Sequence, residues 1–361
     1  MQRRMCVKKN LDMTEGKPIS LLWAFTFPTL MGNLLNQVYS ITDSIVVGRY
    51  LGQTALAAVG STMPVILLLA ALMIGINVGV GIIISRYFGQ KNEELMRRAF
   101  VNSLYLGLFL SAGMMVLGLT FSGTILRWMG TPEGPLQEAT AYLEISFITM
   151  ICPLMYYLFS SAFRGLGDSK SPMYFIAIAC GANIALDYFF MGALHLGPVG
   201  AALGTTLSQA VSVVISLIAI RRHQIGISVT PADLRPQRAV MGTLLRRGVP
   251  IAVQDGLIQV AFLIITIIVN RRGLNDAAAV GIVEKIISFV FLVPSSMLST
   301  VSALCAQNIG AGEEERARKT LRYAIFIATG FGLFMAVLVQ FIANPVVGLF
   351  SKDAAVVMQG G

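Results

Sequence analysis

Charge is scarce in this chain. Asp, Glu, Lys and Arg make up 12% of its 361 residues, where a soluble domain carries roughly 25%. His and Trp occur twice each and Cys four times. With His195 and His223 alone, and with Cys6, Cys152, Cys180 and Cys305 in no CxxC or metal-ligand spacing, neither a zinc nor a haem centre is expected. No P-loop, nucleophile elbow or His-based metal motif occurs. No short apolar core with a small-residue cleavage site precedes the first long apolar segment, so that segment is expected to span a membrane rather than to be removed.

Apolar surface is abundant instead. The hydrophobic share is 55% and the mean hydropathy +0.74, so a water-soluble fold has too little polar surface to cover it. The same balance excludes a disordered chain and a nucleic-acid-coating protein, despite a net charge of +9. Thirty-five Gly and 18 Met suit helices packed closely in lipid, where small residues let backbones approach.

Nine apolar runs reach the roughly 20 residues that a span needs: 19–47, 54–84, 99–124, 138–162, 172–193, 198–220, 248–270, 278–306 and 321–344. A tenth is expected to begin near Asp353. Threading them with a cytoplasmic N-terminus puts 21 Lys and Arg on the inner side and 5 on the outer, with Lys285 inside a span. The positive-inside rule therefore predicts that orientation.

The chain also repeats itself. An offset of 221 residues lays Gly52 on Gly273, Val59-Gly60 on Val280-Gly281, Gly89 on Gly310 and Arg97-Arg98 on Arg318-Lys319, with Pro28 and Pro250 one residue out of register. Six spans separate the copies, so both start on the same side, as parallel repeats about an axis along the membrane normal. The expected fold is an all-α polytopic membrane protein of two helical lobes. The first lobe has six helices and the second is incomplete, with three to four. The corresponding segments are a cytoplasmic 1–17, a first lobe 18–220, a linker 221–247 and a partial second lobe 248–361. A regular repeat would run some 80 residues further, so the chain is read as C-terminally truncated.

A carboxylate inside a span needs a partner, water or a proton. Asp43 ends a stripe in span one in which Asn36, Tyr39 and Asp43 follow helical spacing, flanked by Asn33, Gln37, Ser40 and Ser44. Function and an interfacial Asp reaching outward are both open for it. Asp187 stands four residues after Asn183, and Thr205 and Thr206 follow on the next span. Carboxylate, amide and hydroxyl oxygens suit a small cation or a proton, or else hydrogen-bond the helices together. Asp255 and Gln259 form an i, i+4 pair beside Gln254, and Glu284, Lys285 and Ser288 lie on the following span. A solute cavity lined by Asn33, Asn36, Gln37, Gln254, Asp255 and Gln259 and a structural ion pair or hydrogen bond within the second lobe are the alternatives there. Arg164-Gly-Leu-Gly-Asp168-Ser-Lys-Ser-Pro172 reads as helix stop, turn and restart, with Ser171 as the cap before Pro172.

These residues resemble the multidrug and toxic compound extrusion (MATE) family of cation-coupled efflux transporters. The segments that carry the resemblance are Met13-Thr-Glu-Gly-Lys-Pro-Ile, Asn33 to Gly52, Arg164 to Asp168 with Pro172-Met, Asn183-Ile-Ala-Leu-Asp187, Gly200 to Thr205, and Gln307-Asn-Ile-Gly-Ala-Gly312. The resemblance implies two six-helix lobes that open alternately to either side and exchange inward Na⁺ or H⁺ for an outgoing amphipathic or cationic drug-like solute. It implies translation from Met13 and a multi-pass protein of the plasma membrane. It implies no enzyme activity, no cofactor beyond the coupling ion and no nucleic acid, and a monomer in the bilayer is expected. Tyr39, Asp43, Asn183, Asp187 and Thr205 match the family's cation or proton site, the one place where Na⁺ is expected. Members commonly carry Pro after the span-five Asp, and this chain has Tyr188. Unloaded, two such acids repel, and an entering cation or proton relieves that repulsion. The competing readings are a lipid-linked oligosaccharide flippase, which calls for a basic cavity where Lys285 is the one intramembrane base, and an intramembrane enzyme.

Overall fold

The computed structural model describes residues 12–129, 131, 133–223, 233–270 and 274–350. The start of a tenth span, most of segment 1–17 and the middle of linker 221–247 lie outside them. Among the described residues the fold is all-helical: α1 Pro18–Gly89, α2 Glu93–Trp128, α3 Glu133–Ile148, α4 Ile151–Gly165, α5 Lys170–Asp187, a π-helix Tyr188–Ala193, α6 Gly197–His223, α7 Arg238–Asn270, α8 Leu274–Gly310 and α9 Glu314–Phe350. Among the described residues eight stretches are long and apolar enough to cross a bilayer, or nine where the bent pair Leu136–Ile148 and Ile151–Gly165 is taken as one span. Their outward faces carry bare apolar rings such as Trp23, Phe27, Phe326 and Phe341, the surface that lipid covers.

The helical run α1 holds two of these spans, Pro18–Tyr50 and Thr62–Gly89. They run in opposite directions, and α8 shows why. Thr26 donates to Thr300 and Asn33 to Ser296, so the first span descends along α8. Ser85 donates to the Ala303 carbonyl and Gly89 abuts Gln307, so the second ascends beside it.

The expected fourth span, 138–162, is not one straight helix. α3 and α4 meet at a 45° bend placed by Pro153, which has no N–H for the Thr149 carbonyl and whose ring crowds it. The Thr206 hydroxyl, 2.9 Å from the Thr149 hydroxyl, fastens α6 to this bend.

The Arg164–Pro172 connection also differs in detail. Gly167 has a φ of 87° and Asp168 N–H donates back to the Phe163 carbonyl, the left-handed stop that glycine supplies. Asp168, not Ser171, then caps α5. Its carboxylate accepts from the N–H groups of Lys170 and Ser171, each at 3.0 Å, and from the Ser171 hydroxyl. An ionised side chain three residues ahead outcompetes a hydroxyl for these free donors.

The first-half core joins the second span of α1 to α2, α4 and α5 through Ile84, Phe100, Phe159, Phe163 and Ile176, and reaches Leu244 of α7. The two halves touch reciprocally. A Cβ on Gly89 would overlap the Gln307 carbonyl, and one on Gly310 the Arg86 carbonyl. Arg86 and Gln307, like Gly89 and Gly310, are 221 residues apart. Gly79 meets Gly248 as Thr26 meets Thr300, again with repeat-related partners. Such exchange of equivalent neighbours is what a two-fold relation between parallel repeats produces.

Candidate functional site

The polar stripe of span one serves two places. Its inner part, Asn33, Asn36 and Gln37, lines a cavity between the halves. Further along, Tyr39 and Asp43 turn into the first half and are buried, at 8% and 7% exposure. Asp43 is thus not an interfacial residue reaching for water.

Asp187 is fully buried, and its carboxyl group faces that of Asp43. Three features put it there. It ends α5 where the π-helix begins, and the wider π turn breaks the regular hydrogen-bond ladder at a point where functional sites often lie. Tyr188 occupies the position where the resemblance expects Pro. Its ring meets Tyr50 of span one edge-on at 5.7 Å, so the irregularity arises without a proline. Gly204 of α6 leaves the carboxyl its space, since a Cβ there would overlap Asp187 Oδ1.

Around the two acids stand Asn183, whose amide donates to Asp187 Oδ1 at 3.2 Å, and Thr205 and Ser208, which flank the Tyr39 hydroxyl. The five expected residues, Tyr39, Asp43, Asn183, Asp187 and Thr205, therefore meet in one pocket. Thr206 does not join them, being tied to Thr149 and to the Ala202 carbonyl. Sequence reasoning missed Gly204, Ser208 and Tyr142, the last a buried ring on α3 beside both acids. A lone Tyr in an apolar helix carries no facing information. Gly204 falls in the Gly200–Thr205 segment that carries the family resemblance, and it proves to be the glycine against the carboxyl.

At strict hydrogen-bond geometry four oxygens of this pocket are unsatisfied: the Tyr39 hydroxyl, with Thr205 and Ser208 near it, Asp43 Oδ1 and Asp187 Oδ2, on the two carboxyls that face each other, and Asn183 Oδ1. Leaving a buried polar group unpaired costs about 1–3 kcal/mol, more when it is charged. Two facing carboxylates add mutual repulsion in a low-dielectric interior. This donor set is hard and oxygen-only, suited to a proton or a small alkali cation. Among the described residues no group of three or more His, Cys, Asp or Glu is placed to hold a metal ion.

The inter-lobe cavity has a volume of about 340 Å³, within the range that holds a drug-sized molecule. Asp255 of α7 lines it with Asn33, Asn36 and Gln37, whereas Gln254 and Gln259 do not. Gln254 is about 100° around the helix from Asp255 and is exposed. Gln259, one turn further on, lies beyond the lining.

Arg164, Tyr156 and Tyr157 line the cavity too, and sequence reasoning had left Arg164 in a turn. Lys285, expected to be the intramembrane base, is exposed. Glu284 instead accepts from the Thr266 hydroxyl at 3.1 Å, bracing α8 on α7. The end of α4 turns toward the cavity, so a residue just past the apolar run still faces inward.

Comparison with known proteins agrees with this architecture. The MatE family model matches residues 28–189 and 250–360, two stretches that begin at the repeated Pro28 and Pro250. The probable multidrug resistance protein YoeA of Bacillus subtilis (strain 168) is 31% identical over 352 residues, covering 94% of this chain and 76% of the relative. The multidrug export protein MepA of Staphylococcus haemolyticus (strain JCSC1435) is 27% identical, covering 95% of this chain and 76% of its own. A solved outward-facing conformation of a multidrug resistance MATE family transporter of the MOP superfamily superposes with a TM-score of 0.88 at 25% identity, covering 97% of this chain and 78% of that one.

Proposed function

The chain belongs to the MatE family, and from that membership we propose that it is a multidrug efflux transporter of the plasma membrane, N-terminus inside, that exchanges Na⁺ or H⁺ for amphipathic organic cations. The observation that carries the coupling is the pair of facing, buried carboxyls of Asp43 and Asp187 among unsatisfied oxygens. Entry of a proton or Na⁺ removes repulsion and satisfies those oxygens, so the loaded and unloaded pockets prefer different packing of span one against α5 and α6. Tyr39 and Asp43 are on the same helix as Asn33, Asn36 and Gln37, so a shift at the acids reaches the solute cavity along one rigid element. Export follows because solute and ion bind the two arrangements with different affinity.

Alternating access needs a junction that opens. The reciprocal contacts of Gly89 with Gln307 and of Gly310 with Arg86 form such a junction, and Met13 docks beside it, its N–H on Gln307 Oε1 at 3.0 Å. In the opposite state this junction parts. A flippase for lipid-linked sugars is less well supported, because Arg164 is the single basic residue among the cavity's lining side chains. The relatives are named for multidrug resistance and multidrug export, which lends no support to an intramembrane enzyme.

The test is ethidium efflux from liposomes containing the full chain, with pH and Na⁺ gradients imposed separately. One gradient is expected to drive efflux, and Asp43→Asn is expected to abolish the response to it. Undiminished gradient-driven efflux by Asp43→Asn would remove Asp43 from coupling.

A further inference from the structure

Arg164 and Asp255 are two charges of opposite sign on one cavity that do not neutralise each other. Arg164 ends α4 in the first half, and Asp255 belongs to α7 in the second. Among the described residues neither takes part in an ion pair. Arginine cannot shed its charge as a lysine can, and its planar fork of five donors matches a carboxylate or phosphate edge. Arg164 is partly buried and flanked by Tyr156 and Tyr157, and Tyr157 stands beside Asn36 of span one. This aromatic and amide frame holds the guanidinium at the wall without giving it an anion. A partly buried guanidinium without an anion is costly unless a partner arrives.

We propose that Arg164 is the anion-recognising residue of the cavity, so that the preferred solutes carry a carboxylate or similar group for Arg164 as well as a cationic centre for Asp255. This rests on the efflux reading above and narrows its substrate class from organic cations to dipolar amphipaths. The competing structural role is plain. A cation in the last turn of α4 also faces the negative end of that helix, and this role makes no distinction between solutes.

Rhodamine B and its ethyl ester separate the two, since they share one cationic ring system and differ only in a free carboxylate. Binding of each to the full chain in liposomes is read by fluorescence polarisation for wild type, Arg164→Gln and Arg164→Lys. Wild type is expected to favour the acid. In Arg164→Gln the acid-to-ester affinity ratio is expected to fall about tenfold or more, the scale of one charge-assisted contact, and Arg164→Lys is expected to restore part of it. A ratio unchanged by Arg164→Gln, with both affinities falling together, would overturn the inference and leave Arg164 a helix-end residue. Wild type that binds the ester but not the acid overturns the inference and leaves the efflux reading standing. Wild type that binds neither dye overturns both.

Discussion

The two halves of this molecule repeat a backbone but not its chemistry. Asn33 and Asp255 occupy related positions after their helix prolines, and both line the shared cavity. Ten residues further along, Asp43 has no such counterpart. Either register of the repeat puts Ile264 or Ile265 in its place, both exposed to the surroundings. The first half thus contains the paired acids and the second supplies a cavity wall. Duplication explains the scaffold and the reciprocal junction, while later divergence is needed for the ion pocket.

The sharpest way to break this comparison is to remove an acid from each half. Asp187→Asn is expected to reduce gradient-driven ethidium efflux by about 100-fold, because it deletes one of two charges that must respond together to the ion. Glu284→Gln, which loses only a brace to Thr266, is expected to change efflux less than about threefold. Equal losses would mean that both halves couple.

A smaller effect is expected where the halves are alike. Gly89→Leu and Gly310→Leu each push a side chain into the backbone of the other half. Overpacking of this kind costs about 1–3 kcal/mol, and each variant is expected to open this end of the molecule to a similar degree in spin-label distances across the junction. Gly330→Leu, with open space around its Cβ position, is expected to leave those distances unchanged. A large effect at one junction glycine and none at the other would contradict the two-fold relation.

Much of this was legible in the sequence because it concerns long-range averages. Hydropathy over some 20 residues finds spans, and a repeated offset finds halves. The acid pair was legible because a carboxylate in an apolar run is costly enough to mark itself. Direction within the membrane was less so. The stripe from Asn33 to Asp43 reads as one face, yet a helix rotates slowly against its neighbours, and the stripe divides between cavity and ion pocket. The bend at Thr149 could have been found from Pro153. The π-helix after Asp187 could not, since no proline or glycine marks its start. Arg164 was misplaced because hydropathy ends a span at the first charge, while the helix carries that charge on toward the cavity.

The central claim is that Asp43 and Asp187 take up the coupling ion as a pair. Infrared difference spectroscopy of the full chain in lipid, recorded as H⁺ or Na⁺ is added, tests it directly by reading the carboxyl bands. A change is expected in wild type that disappears in both Asp43→Asn and Asp187→Asn and persists in Glu284→Gln. A carboxyl signal that survives either Asp substitution unaltered would contradict it.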